Sequence, residues 1–140
     1  MAKTVLRNCV ITVDGDDISD HASEVTIEWS ADEVEVTSFG STNKEMLKGL
    51  GDATITVSIF QDFESNEIDQ NMWVHSQETD AFEVTVKPTN AAVSVTNPEY
   101  SLPAALLFNY SPISGGVGAA ATTELVFRNA GPLGLVRSFT

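Results

Sequence analysis

The sequence has one cysteine, two histidines and seven basic residues, and each scarcity removes a class of function. Cys9 has no partner for an intramolecular disulfide. Its place in an apolar alternation reads as a buried, inert thiol. The acidic run Asp14-Gly15-Asp16-Asp17 has turn chemistry but not the residue order of a calcium-binding EF-hand loop. His21 lies beside Ser19 and Asp20, yet adjacency in sequence is not triad geometry, and it reads as a polar corner residue rather than a ligand. No nucleophile-elbow, zinc-protease, P-loop or dinucleotide signature occurs. The sequence therefore points away from an enzyme, and no cofactor or metal is expected. Acidic residues number 20 against 7 basic, for a formal net charge of -13. That balance lacks the basic stripe of a nucleic-acid reader and repels anionic membranes. No stretch approaches ~18 consecutive apolar residues. The N-terminus MAKTVLRN has no apolar run of the signal-peptide kind, so a soluble chain made in the cytosol is expected.

What the chain does have is alternation. With 140 residues, 42% of them hydrophobic, it can bury a core as a single domain spanning 1–140. Residues 4–13 alternate toward a first strand. From Glu24 to Val36 the pattern is strict: Val25, Ile27, Trp29, Val34 and Val36 fall on one side, and Glu24, Thr26, Glu28, Glu33 and Glu35 on the other. Folding this stretch as a hairpin about Ala31-Asp32 would set Glu28 opposite Glu35, a destabilising pair of like charges. Residues 53–59 give the cleanest strand, with Ala53, Ile55, Val57 and Ile59 inward. Residues 82–87, 92–96, 100–110 and 121–128 add further strands. Pro103 lacks a ladder N–H, which places its strand at an edge or at a bulge.

Between the strands lie three segments of other character. Residues 39–52, FGSTNKEMLKGLGD, carry Gly40, Gly49 and Gly51 with exposed-reading apolar residues and two lysines. They predict a long inter-strand arm loop, with Phe39, Lys44, Met46, Leu47, Lys48 and Leu50 as contacts that order against a partner. Residues 65–75 predict one helix, with Ser65 as N-cap, Ile68, Met72 and Trp73 on the buried face, and His75 suited to the C-terminal dipole. The tail 130–140 holds Leu133, Leu135, Val136 and Phe139 without a regular pattern, and predicts docking on its own domain or a neighbour. Together these features predict a mainly β fold: an antiparallel β-sandwich or barrel of about seven or eight strands with one α-helix packed on it. Exposed apolar arms without catalytic groups suit an assembly protein. A carbohydrate-binding sandwich would need exposed aromatics, whereas Trp29 and Trp73 both read as inward-facing.

Three segments carry a resemblance to a known family: VDGDDISDHASEVTIEWSADEVEVTSFGSTNKEMLKGLGDATITVSIFQDF, FEVTVKPTNAAVSVTNPEY, and TTELVFRNAG followed by LVR. In order and extent they resemble the major tail tube proteins of long-tailed (siphovirus-type) bacteriophages, particularly those of actinobacteria. The resemblance implies a structural virion protein of the phage tail, whose copies form rings, hexameric in the family, stacked into a tube for DNA ejection. It implies as partners other copies of the chain, the tape-measure protein and tail-end or terminator proteins, with DNA only in transit and no membrane. The arm would bridge subunits and the tail would add contacts. Glu24, Glu28, Glu33 and Glu35 would then line either the lumen or the outer surface; an acidic lumen repels phosphates and lets DNA slide. A capsid decoration or head–tail joining protein is the alternative within virion β-proteins.

Overall fold

Alternation becomes ladder. The computed structural model describes residues 3–139, so positions 1, 2 and 140 of the expected domain and tail lie outside it. It orders the chain as β1 (Val10–Val13), β2 (Asp16–Asp17), β3 (Ala22–Glu35), β4 (Met46–Phe60), α1 (Ile68–Gln77), β5 (Phe82–Lys87), β6 (Glu99–Asn109), β7 (Thr122–Asn129) and β8 (Val136–Ser138). The strands form one antiparallel sheet in the order β2-β1-β5-β6-β7-β4-β3, with β8 pairing β6 off this path. β1 turns into β2 through Asp14 (φ 51) and Gly15 (φ 85), the paired positive φ values of a two-residue hairpin turn that follows sheet twist.

The sheet is not closed: β2 and β3 are its ends. It nevertheless encloses one core. Ile11 and Val13 near one end, Ile55, Val57 and Ile59 near the other, and Val84, Leu102, Leu125 and Phe127 between them belong to one buried cluster. Helix α1 adds Ile68 and Met72 to it. Phe127 meets Phe82 edge-on at 6.0 Å, and Phe82 stacks on His75 at 4.5 Å, tying α1 to the sheet. Truncating a buried phenyl such as Phe127 would cost about 3–5 kcal/mol.

The mainly β, eight-stranded, one-helix architecture agrees with the sequence pattern, but several local expectations do not hold. There is no turn at Ala31-Asp32. β3 runs through it, and β4 extends back to Met46 to pair it, so Glu28 faces Thr54 and Glu35 faces Met46. The like-charge opposition of Glu28 and Glu35 therefore does not arise. The expected arm loop 39–52 is half strand: residues 46–52 belong to β4, and only the tip of a long hairpin is irregular. Continuous pairing of two long strands outweighs the weak turn tendency of Ala-Asp.

Elsewhere the corrections are smaller. The first strand begins at Val10 rather than residue 4. The helix starts at Ile68, its N-cap position is Glu67 rather than Ser65, and no side-chain cap bond forms. Its inward face is Ile68, Met72 and His75, spaced i, i+4, i+7, while Trp73 points to solvent. In β6 an extra residue around Pro103 breaks the register with β5, so Ala105 and Leu107 are buried instead of Ala104 and Leu106. Residues 92–96 form no strand, only a bridge from Ser94 to Asn97. The Asn97 side chain takes over as organiser, donating to the carbonyls of Ala91 and Ala92. Cys9 is partly buried against the core, and burial raises its thiol pKa.

Candidate assembly surface

Two surfaces follow from the pleat of β3. Strand partners share a face, and Ala53, Ile55 and Val57, the partners of Trp29, Ile27 and Val25, point into the core. The alternate residues Glu24, Thr26, Glu28 and Ser30 therefore point outward. Two registers continue this outward face across the neighbouring strands as cross-rows: Glu24–Ser58–Glu124, Thr26–Thr56–Val126 and Glu28–Thr54–Arg128. The face is hydroxyl-rich and acidic. Its cation Arg128 is held by Asp52, with Nη2 2.7 Å from Oδ2. Glu124 was not singled out from sequence, because β7 alternates without revealing its neighbours; the cross-strand register is what joins it to Glu24.

Glu33 and Glu35 do not share this face. Glu33 pairs with Lys48, and the Lys48 ammonium sits 5.5 Å from the Trp29 ring centroid, so these three occupy the core-side face of the hairpin beyond the core. The four glutamates expected on one surface are thus split two and two. With no turn at residues 31–32, the pleat keeps its parity through β3 and carries Glu33 and Glu35 to the other side.

The distal half of the β3–β4 hairpin concentrates exposed apolar side chains. Val34, Val36, Phe39, Met46, Leu47 and Leu50 are all exposed, and Trp29 at its base is 52% exposed. Opposite Asp32 the hairpin is bulged: Ala31 pairs with Gly51 and Glu33 with Lys48, leaving an extra residue in β4. The glycines serve close approach. A Cβ on Gly49 would lie 3.0 Å from the Asp32 Cβ, and one on Gly51 would lie 3.2 Å from Trp29 Nε1. Phe39 and Lys44 sit in the tip, which is tied by Val36 N–H donating to the Glu45 carbonyl.

The tail docks on its own domain through β8. Val136 pairs with Ser101, Leu135 packs against the core, and Arg137 donates to the Tyr100 hydroxyl at 3.1 Å. The Arg137 guanidinium also lies 5.5 Å from the Phe139 ring. Leu133 stays exposed and, with Leu135, Leu50, Ala53 and Trp29, lines a groove of about 380 Å³ between hairpin root and tail. Trp29 and Trp73, expected inward, are both half-exposed but on different elements, β3 and α1. No helix among the described residues is long and apolar enough to cross a membrane.

An open antiparallel sheet with one helix is a fold this chain shares with chains of solved tailed particles. It matches a chain of the native gene transfer agent virion at 20% identity and TM-score 0.70, covering 95% of each chain. It matches the tail of an empty gene transfer agent particle, solved with C6 symmetry, at 21% identity and TM-score 0.69, covering 94% of each. The sheath/tube terminator of an extracellular contractile injection system aligns at TM-score 0.74 and 14% identity, covering 99% of this chain and 98% of that one. No protein-family model and no curated protein matches the sequence.

Proposed function

We propose that the chain is a structural subunit of a tail tube, assembling with copies of itself into hexameric rings that stack around a conduit for DNA. The observation that carries this reading is the long hairpin whose apolar residues lie beyond the core. A monomer that leaves Phe39, Met46, Leu47 and Leu50 in water is incomplete, and exposed apolar side chains concentrated on both sides of one projection mark a protein–protein contact. A hairpin reaching from one copy onto a different surface of the next makes a heterologous contact, which closes into a ring when the rotation allows. The sixfold symmetry of the gene transfer agent tail with the same fold supports six copies.

In this arrangement the face of Glu24, Glu28 and Glu124, with its threonine and serine rows, lines the bore. Carboxylates there repel phosphate and offer DNA no counterion release, so the polymer slides. Glu33 and Glu35 belong instead with the hairpin contacts. Tape-measure and terminator proteins would meet the tube within and at its end. A terminator role is the second reading, favoured by the likeness to a sheath/tube terminator. The two differ in copy number: a tube subunit repeats along the tail, while a terminator forms one ring.

Negative-stain electron microscopy of the purified protein tests the assignment. Stacked sixfold rings of variable length are expected. Single rings of fixed size would favour the terminator reading, and monomers at every concentration and salt would overturn both.

A further inference from the structure

We propose that His21, Asp62 and Glu67 form a divalent-cation site, best suited to zinc, that staples the corner before β3 to the entry of α1. The inference stands on local geometry and does not depend on the tail-tube reading. One ligand atom from each residue lies within 4.8 Å of the other two. Asp62 and Glu67 come from the segment linking β4 to α1, and His21 comes from the corner preceding β3, 41 residues before Asp62.

The imidazole is the telling group. Nδ1 faces Asp20 Oδ1 at 3.1 Å and Nε2 faces Asp62 Oδ2 at 3.0 Å. A neutral ring carries one N–H, so if Nδ1 donates to Asp20, the Nε2 lone pair points straight at a carboxylate oxygen. As it stands, a second ring proton meets that contact; a metal ion would replace this proton at Nε2 with Oδ2 moved off the Nε2 axis, since two bonds of ~2.0 Å cannot lie along a 3.0 Å line. The surroundings fit the metal. An Nδ1–H bonded to a carboxylate is the usual orienting arrangement behind a metal-bound histidine. Asp62 Oδ1 accepts from the Glu64 N–H at 2.9 Å, which fixes that carboxylate while leaving Oδ2 toward the ring. Glu67 is half-buried at the helix start, makes no capping bond, and has no ion-pair partner among the described residues. Its backbone is placed by the helix start, where Asn71 N–H donates to the Glu67 carbonyl, and this leaves the side-chain carboxylate beside His21 and Asp62.

Two carboxylates and one neutral imidazole balance a dication. Ligand atoms around tetrahedral zinc sit about 3.3 Å apart, given metal–ligand distances near ~2.0 Å. Asp62 and His21 already lie close to that spacing, and rotation of the Glu67 side chain would close the third edge, leaving a fourth position for water. An imidazole among the ligands favours zinc over calcium or magnesium, which take oxygen. The ion would join two segments remote in sequence and shield carboxylates that otherwise crowd together.

Isothermal titration of the chelator-treated full chain with zinc, and separately with calcium, tests this. One zinc per chain is expected, with calcium at least ~10-fold weaker. Cobalt should give the intense visible absorption of a tetrahedral site. Glu67→Gln should weaken zinc at least ~10-fold without changing the circular dichroism, since its carboxylate makes no hydrogen bond or ion pair among the described residues; Asp20→Asn should weaken it by loosening the bond that orients the His21 ring. Equal zinc binding by wild type and Glu67→Gln would overturn the site, as would no saturable binding at one equivalent. So would 15N shifts showing His21 doubly protonated and unchanged by zinc.

Discussion

Replacing Phe39 and Leu50 together with alanine separates assembly from folding. Phe39 is fully exposed and Leu50 is 82% exposed, so neither side chain contributes appreciably to the core of the isolated subunit. Each has nearly its whole apolar surface left to bury against a neighbour, worth ~1.5–3 kcal/mol at most per side chain. Interfaces realise only part of such a transfer energy, because ordering of the tip and desolvation of its polar groups oppose it. A net loss of about 2–4 kcal/mol per subunit contact follows, which is roughly 30- to 700-fold in the concentration at which assembly begins. Surface changes of this kind shift subunit stability by no more than ~0.5 kcal/mol. The assay is a concentration series by sedimentation velocity with electron microscopy, beside thermal melts at a dilution where only monomer is present. Tubes appearing at the wild-type threshold would refute the role of the hairpin. A fall in monomer melting temperature like that of Phe127→Ala would show that these side chains support the fold instead.

Further outcomes follow from single contacts. Changing Glu28 and Glu124 to lysine should leave tubes intact but slow genome ejection, since both lie on the outward face of the three-strand patch; unchanged ejection kinetics would remove that face from the bore. Gly131→Ala should destabilise the domain by ~1–3 kcal/mol in denaturant titration, because the new Cβ would stand 2.6 Å from the Ala104 Cβ; an unchanged midpoint would mean the tail shifts freely. Tyr110 donates to Asp69 at 2.6 Å and accepts from Gln61 at 3.0 Å, so Tyr110→Phe should cost ~1.5–3 kcal/mol near neutral pH. Burial first, and then the bond to Asp69, raise the Tyr110 pKa from 10.0 to about 12. A raised folded pKa means a contribution complete below pH 10 and lost as pH climbs toward 12, as the unfolded chain ionises first. The stability gap between wild type and Tyr110→Phe should therefore narrow over that window, and a constant gap would contradict the assignment.

Strands with a fixed parity were legible in the sequence because burial acts on alternate residues. Phe82, Val84 and Val86, and likewise Ala53 to Ile59, needed no partner to reveal their inward face. What escaped depended on a partner strand. Gly49 and Gly51 read as loop residues, yet each makes room for a side chain of β3. Trp29 read as core because it continues the apolar alternation of Val25 and Ile27; those two are partly buried, but the core ends before Trp29 and the hairpin continues into solvent. Pro103 correctly announced an edge or a bulge, and a bulge it is, with parity reversed beyond it. His75 showed the same limit in a helix: it read only as suited to the C-terminal dipole, while the i, i+7 spacing from Ile68 places it inward. The split of the four glutamates came from one misplaced turn, since a turn at Ala31-Asp32 and a continuous strand assign opposite sides to Glu33 and Glu35.

The bulge at Gly49 and Leu50 has a consequence for how such a chain can change over generations. It is the point where β4 shifts phase against β3 while β3 holds its own. Losing or gaining one residue there would turn every more distal side chain of β4 over, exchanging Lys48 and Met46 with Leu47 across the two sides of the projection. Changes of two residues at the tip, one from each strand, would keep both sides intact. Length variation among related chains should accordingly fall in even steps near the tip and be absent at the bulge, so that reach can drift while sidedness stays locked.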